Sequence, residues 1–204
     1  MKIKVCGLRQ AENIAAVGAL PLDFVGFIFY PKSSRFVADK PEISLPEQVQ
    51  RVGVFVNASV AKIEEKANLF ELDYLQLHGD ESPELCQKLA QKGYSIIKAF
   101  GVDNSFDWAV LEAYVPHCAF FLLDTKGVSY GGNGIQFDWE ILKQYPYKVP
   151  FLLSGGIAPD SIEALRSLDI PQLYGIDINS RFEEAPAIKN VPLIHQFIEE
   201  IQSL

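Results

Sequence analysis

Eight short apolar runs, rich in β-branched and aromatic residues, recur along the whole chain. They cover residues 2–6, 24–29, 51–56, 73–77, 95–100, 119–124, 149–154 and 173–178. Most of them are continuously apolar rather than alternating, which is typical of strands covered on both faces in a parallel sheet. The pattern therefore predicts eight buried parallel strands.

Amphipathic segments fill most of the intervals between these runs. Residues 59–70 carry apolar side chains at helical spacing. Residues 82–93 begin with Ser-Pro, which favours a helix start, and end on a glycine, which favours a stop. Similar patterns occupy residues 159–168 and 192–201, whereas residues 45–50 have the weakest helical pattern.

Strands that alternate with helix-like segments predict an α/β protein, a single-domain (β/α)8 TIM barrel that spans residues 1–204. Division of the 204 residues by eight gives about 25 residues per unit, near the lower size limit of that fold. An open doubly wound sheet is the competing fold, but it usually has fewer strands, and the glycine fingerprint expected after its first strand is missing. In a barrel of this type the active site lies at the C-terminal ends of the strands.

Composition narrows the classes of function. The chain is 49% hydrophobic and 22% charged, lacks an apolar run long enough for a membrane span, and does not begin with the h-region of a signal peptide. We therefore expect a cytoplasmic protein with no membrane partner. The net charge of −8 argues against non-specific binding to nucleic acid. The three cysteines have no metal-like spacing, so neither a disulfide framework nor a metal site is expected.

Three strands end on side chains that can transfer protons. Cys6 ends the first strand, His78 follows the fourth, and Asp124 ends the sixth. A thiol, an imidazole and a carboxylate at three strand ends indicate a catalytic site. On the local pattern alone, each also has a plainer interpretation: Cys6 as a small buried core residue, Asp124 as a cap, and His78 as a satisfied core or surface group.

Glycines and small polar residues cluster after the last three strands. In barrels, the loops after strands seven and eight commonly bind phosphate through backbone N–H groups and a helix N-terminus. The GGNG run after strand six is interpreted as a mobile loop that closes over the phosphate side, with plain flexibility as the alternative. The residues that follow these strands are Gly132, Gly134, Gly155, Gly156, Asn179 and Ser180, and Asp177 lies at the end of the eighth strand itself.

Taken together, these stretches resemble the phosphoribosylanthranilate isomerase family. The similarity extends from about Lys4 to Asn190. The matching stretches are KVCGL, GFIFYPKSSRFV, VGVFVN, LQLHGDE, IKAF, LLDT…GGNG…FDW and PFLLSGGIAP, and they occur in the family's order. Any one of them is weak evidence, but the whole set is highly specific.

The resemblance implies a cofactor-free Amadori rearrangement in tryptophan biosynthesis. N-(5-phosphoribosyl)anthranilate, the small phosphorylated aminosugar bound, becomes 1-(2-carboxyphenylamino)-1-deoxyribulose 5-phosphate. By resemblance, Cys6 is the general base, Asp124 is the general acid, and Arg35 of the PKSSR stretch faces the anthranilate end. A planar guanidinium can hold the anthranilate carboxylate by two parallel hydrogen bonds. His78 and the groups that follow strands six to eight are expected to bind substrate, in a monomer or a homodimer.

Arg181 and Lys4 each have two alternative roles on the sequence alone. Arg181 stands where the family commonly has a glycine, so backbone contact with phosphate is in doubt there, and its side chain either binds the phosphate or points to solvent. Lys4 lies two residues before Cys6 on the same strand face. It either favours the Cys6 thiolate or pairs with a buried acid such as Asp124 or Asp177.

Other functions are possible on the same barrel. Indole-glycerol-phosphate synthase uses an essential lysine acid, and the tryptophan synthase α chain uses paired carboxylates, so Cys6 with Asp124 favours the isomerase. A non-catalytic phosphate-sugar binding protein would not need a thiol and a carboxyl group aimed at one pocket. Separation of Cys6 from Asp124, or their burial in helix packing, would favour that last alternative.

Overall fold

Eight parallel strands form a closed barrel in the computed structural model, which describes residues 1–125 and 139–203. Neighbours in the barrel follow the order of the chain, and the last strand pairs with the first. The strands are β1 (Lys2–Cys6), β2 (Phe24–Ile28), β3 (Gln50–Phe55), β4 (Tyr74–Leu77), β5 (Ser95–Val102), β6 (Phe120–Thr125), β7 (Phe151–Ser154) and β8 (Leu173–Ile178). All eight apolar runs therefore form strands, and the predicted barrel is confirmed.

Five α-helices lie in the described part of the chain: α1 (Ala11–Gly18), α2 (Val60–Phe70), α3 (Pro83–Gln91), α4 (Ile162–Arg166) and α5 (Val191–Gln202). The side chains of Ser59, Ser82 and Asn190 cap α2, α3 and α5 by accepting a hydrogen bond from a backbone N–H in the first turn. Such caps satisfy amides that have no partner within the helix. Within this part of the chain, no helix has the length and apolar character needed to cross a bilayer.

The helix-like segment expected after β2 is missing. Residues 29–49 are described throughout and contain no α-helix. β3 begins at Gln50, so the stretch after Pro46 is too short for an α-helix before the strand starts, which agrees with the weak pattern at residues 45–50. After β5 the chain forms the 3-10 helix Trp108–Tyr114, and the described residues between β6 and β7 include the 3-10 helix Trp139–Gln144.

Apolar side chains form two separate cores. The larger core includes Ile14, Phe70 and Leu89 and packs the helices against the barrel. The smaller core consists of Phe24, Val52, Ile97, Ala99, Leu122 and Leu152. Because side chains alternate along a strand, Asp124 lies on the same face as Leu122, two residues nearer the C-terminal end. The smaller core therefore lies directly beneath the C-terminal ends of the strands.

A short antiparallel hairpin follows β8. It pairs β9 (Glu183–Ala185) with β10 (Ile188–Lys189). Its turn places Ala187 in the left-handed region, at φ 67°. The hairpin brings Glu183 and Lys189 to the C-terminal end of β8, beside the open end of the barrel.

Candidate active site

A cavity of about 940 Å³ lies at the C-terminal ends of the strands. Cys6 and Asp124 both line it, and neither points into the helix packing. The other predicted residues in its wall are His78, Gly155, Gly156, Asp177, Asn179 and Ser180. The fold thus brings together groups from β1, β4, β6, β7 and β8, as the strand-end prediction required.

The backbone around Cys6 leaves room for its thiol. Cys6 pairs with Gly26 of β2 in the parallel register, and a Cβ at Gly26 would lie only 2.7 Å from the Cys6 Sγ. Gly7 follows at φ 80°, a conformation that favours glycine, and its N–H donates to the carbonyl of Gly26 at 3.0 Å. These two glycines let a nearly buried thiol end a strand and still border the cavity.

Lys4 and Asp177 form a buried ion pair beneath the thiol. The Lys4 Nζ lies 2.7 Å from the Asp177 Oδ2, and the two residues are directly opposite in the register of β1 and β8. Burial by itself lowers the pKa of Lys4, but the charges of Asp177 and Cys6 raise it above its ordinary value. Lys4 therefore stays a cation, and the acid it pairs with is Asp177.

Burial and neighbouring charges shift the pKa of the Cys6 thiol in opposite directions. Burial raises its pKa above the ordinary value, while the nearby ammonium groups of Lys4 and Lys189 oppose that shift. Lys4 therefore does both things considered for it: it pairs with Asp177 and its charge favours the Cys6 thiolate. The net effect keeps the thiol protonated at neutral pH.

Gln76, His78 and Asp124 form a line of polar contacts across the cavity. The Gln76 Nε2 lies 2.8 Å from the His78 Nδ1, and the His78 Nε2 lies 3.5 Å from the Asp124 Oδ2. An amide N–H that donates to Nδ1 places the imidazole hydrogen on Nε2, where it faces the carboxylate. His78 therefore borders the cavity with a ring N–H that faces the proposed acid.

Two buried oxygen atoms in the cavity wall have no hydrogen-bond partner among the described residues. They are the Gln76 Oε1 and the Asp177 Oδ1, on side chains that are 1% and 6% exposed as whole residues. Buried polar atoms are normally paired, and an unpaired one is unfavourable. Both atoms have almost no solvent-accessible surface, so each is an unfavourable feature inside the wall and not a group that faces the cavity.

The loop after β7 is shaped to bind an anion. Gly155 and Gly156 have φ values of 87° and 71°, so two successive residues lie in the left-handed region. Successive amides in such a turn can converge on a phosphate. Both glycines border the cavity. Gly132 and Gly134, which were predicted to lie on the same side, fall outside the described residues.

Arg181 also lines the cavity, at the loop after β8. It lies in the 3-10 turn Ser180–Phe182 and is not among the residues with positive φ. An arginine therefore fits this backbone without the strain that would require glycine. Its side chain is exposed, so it can reach an anion at the mouth of the cavity.

Arg35 lies beside the cavity but is not in its wall. Its Nε and Nη2 donate to the two carboxylate oxygens of Glu183, at 2.6–3.1 Å. Its Cδ would be 2.6 Å from a Cβ placed on Gly7, the residue after Cys6. Arg35 thus stands next to the proposed base, with one edge already occupied.

Sequence reasoning missed Glu183, Lys189 and the role of Gln76. Glu183 is 148 residues from Arg35 in the chain, and no local pattern links them. Gln76 could have been found from its place on the same strand face as His78. The cavity wall also contains Tyr30, Ser33, Trp139, Asp160 and Ser161. Among the described residues no cluster of His, Cys, Asp or Glu could hold a metal ion.

Comparison with known proteins agrees on one family. The family model described as PRAI, N-(5'phosphoribosyl)anthranilate (PRA) isomerase, matches residues 3–200. The N-(5'-phosphoribosyl)anthranilate isomerase of Parabacteroides distasonis is 47% identical over 206 residues, which cover 98% of this chain and 93% of that protein.

Solved structures agree with that match. One is a phosphoribosyl anthranilate isomerase in complex with reduced 1-(o-carboxyphenylamino)-1-deoxyribulose 5-phosphate, with a TM-score of 0.83, 33% identity and 100% of both chains covered. Another, from Thermotoga maritima, concerns monomers generated from a dimeric phosphoribosylanthranilate isomerase. It has a TM-score of 0.79, 31% identity and 100% of both chains covered.

Proposed function

This chain belongs to the N-(5'-phosphoribosyl)anthranilate isomerase family and has its isomerase activity, and we propose that Cys6 and Asp124 perform the proton transfers. The observation that carries the assignment is that both side chains border one cavity, from strands on different sides of the barrel. A base and an acid on separate strand ends can flank one substrate.

The reaction then needs one group that donates a proton and another that accepts one. Asp124 in its protonated form gives its proton to the ring oxygen, which opens the sugar to a protonated Schiff base. The Cys6 thiolate takes the proton from C2 of the sugar, and the electron pair forms the double bond of an enolamine. The enolamine tautomerises to the ketone, and proton exchange with solvent returns Cys6 and Asp124 to their starting states.

The positive charge of the Schiff base helps the step at Cys6. Burial holds the pKa of the free thiol high, so a thiolate must be stabilised when it is needed. The iminium nitrogen is one bond from C1 and places a cation near the sulfur, in addition to Lys4. The same cation makes the C2 hydrogen more acidic.

The remaining groups hold the substrate. Asp177 and Gln76, whose side chains line the cavity, bind the sugar, and His78 holds the Asp124 carboxyl group in place. The amides of Gly155 and Gly156, with Asn179 and Ser180, form the phosphate corner. The family resemblance assigns Gly132 and Gly134 to phosphate binding, and Arg35 binds the anthranilate carboxylate.

We also propose the setting in which the site works. Residues 1–204 act as one catalytic domain, because the cavity draws on strands from β1 to β8. The substrate carries a phosphate and a carboxylate and crosses a bilayer poorly, which supports a cytoplasmic enzyme. All of the proposed residues come from one chain, so either a monomer or a homodimer can hold a complete site.

The test is to remove each group and follow turnover. Fluorescence falls as freshly made N-(5-phosphoribosyl)anthranilate is consumed. Cys6→Ala and Asp124→Asn should keep their cooperative unfolding and lose turnover by about 10²-fold or more, the usual contribution of a general acid or base. Cys86→Ala is the matched control, because it removes a buried thiol on α3, away from the cavity wall. Normal turnover in Cys6→Ala would disprove its role as base.

A further inference from the structure

We propose that Glu183 is a positioning residue that holds one edge of the Arg35 guanidinium and so aims its other edge at the anthranilate carboxylate. The inference rests on the proposed contact between Arg35 and that carboxylate. It assigns a task to a residue that lies outside the cavity wall and that takes no part in the proton transfers.

The contact between Glu183 and Arg35 uses a defined edge of the guanidinium. The Arg35 Nε lies 2.8 Å from Oε1 and 3.1 Å from Oε2 of Glu183, and the Nη2 lies 2.6 Å from Oε2. This is the side edge of the planar group. The end edge consists of Nη1 and the second hydrogen of Nη2, and Nη1 makes no hydrogen bond to any described residue. An end edge with two parallel N–H groups matches a second carboxylate.

Glu183 is itself held rigidly. Its Oε1 accepts hydrogen bonds from the Lys189 Nζ at 2.7 Å and from the Ala187 N–H at 3.1 Å. The side chain of Glu183 is 5% exposed and that of Lys189 is fully buried. Lys189 is in turn bound by the Asn179 Oδ1 at 2.6 Å. A carboxylate with partners on several sides has little freedom to let the guanidinium move.

Electrostatic attraction of the substrate carboxylate does not explain why Glu183 lies beside Arg35. Burial alone would raise the pKa of Glu183, but the hydrogen bonds from Arg35 and Lys189 hold it below the ordinary range, so Glu183 is ionised. An anion beside Arg35 weakens the attraction of this region for a substrate carboxylate. A residue that only tuned charge would therefore work against binding, whereas one that fixes orientation lowers the entropy lost when the carboxylate binds.

This opposition of sign separates the two explanations. Glu183→Gln removes a negative charge, so a purely electrostatic role predicts tighter binding of a carboxylated ligand. Positioning predicts weaker binding, because one carboxylate oxygen becomes an NH2 group that can accept neither from the guanidinium nor from Lys189. Glu183→Asp keeps the charge and shortens the side chain by one methylene, so it displaces the guanidinium while Lys189 keeps an anionic partner.

The experiment compares two ligands by calorimetry. One is the reduced product analogue that carries the anthranilate carboxylate, and the other is the same phosphorylated anilino-sugar without that group. Glu183→Asp and Glu183→Gln should each lower the affinity for the carboxylated ligand by about tenfold and the affinity for the other ligand by less than about twofold. Glu163→Gln, at an exposed pair with Arg166 on α4, is the matched control and should change neither. Thermal unfolding of each variant checks that it is folded.

The Arg35→Ala background completes the test. There, Glu183→Asp should have no further effect on either ligand, because the group it positions has gone. Unchanged binding in both Glu183 variants, equal loss of both ligands, or a further loss in the Arg35→Ala background would each overturn the positioning role. Equal loss of both ligands in Arg35→Ala alone would instead overturn the proposed carboxylate contact, and this inference with it.

Discussion

Gly7→Ala adds one methyl group at the most crowded point beside the proposed base. Gly7 has a φ of 80°, where an L-residue is strained whatever the space around it. A Cβ there would lie 2.6 Å from the Arg35 Cδ and 2.8 Å from the Asn179 Oδ1. Neither neighbour is free to move, because Arg35 is bound by Glu183 and Asn179 by Lys189.

The expected loss of stability has two parts. Left-handed backbone costs an L-residue about 1–2 kcal/mol relative to the right-handed form. Displacement of Arg35 or Asn179 lengthens at least one hydrogen bond to a charged group, which is worth about 1.5–3 kcal/mol. We therefore expect the free energy of unfolding to fall by roughly 2.5–5 kcal/mol in Gly7→Ala.

Gly93→Ala is the matched control. Gly93 follows α3 with a φ of 92°, and a Cβ on it would meet no atom within 4 Å. This variant should show only the backbone part, about 1–2 kcal/mol. The difference between the two variants then reports the displacement of side chains around Gly7.

Urea unfolding measures the stability of both variants, and the fluorescence assay measures their turnover. Gly7→Ala should raise the KM for N-(5-phosphoribosyl)anthranilate, because Arg35 no longer presents the same edge, while Gly93→Ala should keep the KM of the unaltered protein. Equal losses of stability in the two variants, or an unchanged KM in Gly7→Ala, would refute the reasoning.

Three further predictions concern other parts of the site and its support. The Cys6 thiolate, followed by its ultraviolet absorbance against a Cys6→Ala blank, should form only above neutral pH, because burial raises its pKa; Lys4→Met, which removes the opposing cation, should move that titration to higher pH, and an unmoved titration would contradict the charge effect. Ala187→Gly should change the free energy of unfolding in urea by less than about 1 kcal/mol, because relief of the backbone at φ 67° is offset by the loss of a buried methyl group and by the backbone freedom of glycine, whereas Ala185→Gly in β9, which has no positive φ to relieve, should lower it. Arg181→Ala should weaken the binding of inorganic phosphate, measured by calorimetry, at low ionic strength and to a smaller extent at high salt, whereas Arg166→Ala should leave it unchanged. If Arg181→Ala leaves the phosphate affinity unchanged, backbone amides alone bind the phosphate.

The barrel and the location of its active site follow from the sequence because both depend on short-range patterns. Continuous apolar runs report strands buried on both faces, and the chain order of eight such runs leaves few topologies. Once the barrel is assumed, the last residues of each run must meet at one end. Cys6, His78 and Asp124 could therefore be placed in one cavity from their positions alone, without any knowledge of distances.

Local departures were less predictable from pattern alone. Residues 45–50 have some helical character, yet β3 begins at Gln50 and leaves too few residues for a helix. Arg181 replaces a glycine of the family pattern, but the backbone there is a 3-10 turn with ordinary φ, so the loop did not need glycine. In both places the outcome depends on backbone conformation, which residue type only biases.

The partners of buried charges were decided by the tertiary structure. Lys4 could pair with Asp124 or Asp177 on sequence evidence, and the register of β1 against β8 places Asp177 directly opposite. Arg35 and Glu183 come from loops 148 residues apart and meet only because β1, β2 and β8 are neighbours in a closed barrel. A strand pattern is a property of a few consecutive residues. A bidentate ion pair instead depends on the placement, to within an ångström, of two segments that are distant in the chain. Only closure of the barrel brings those two segments together.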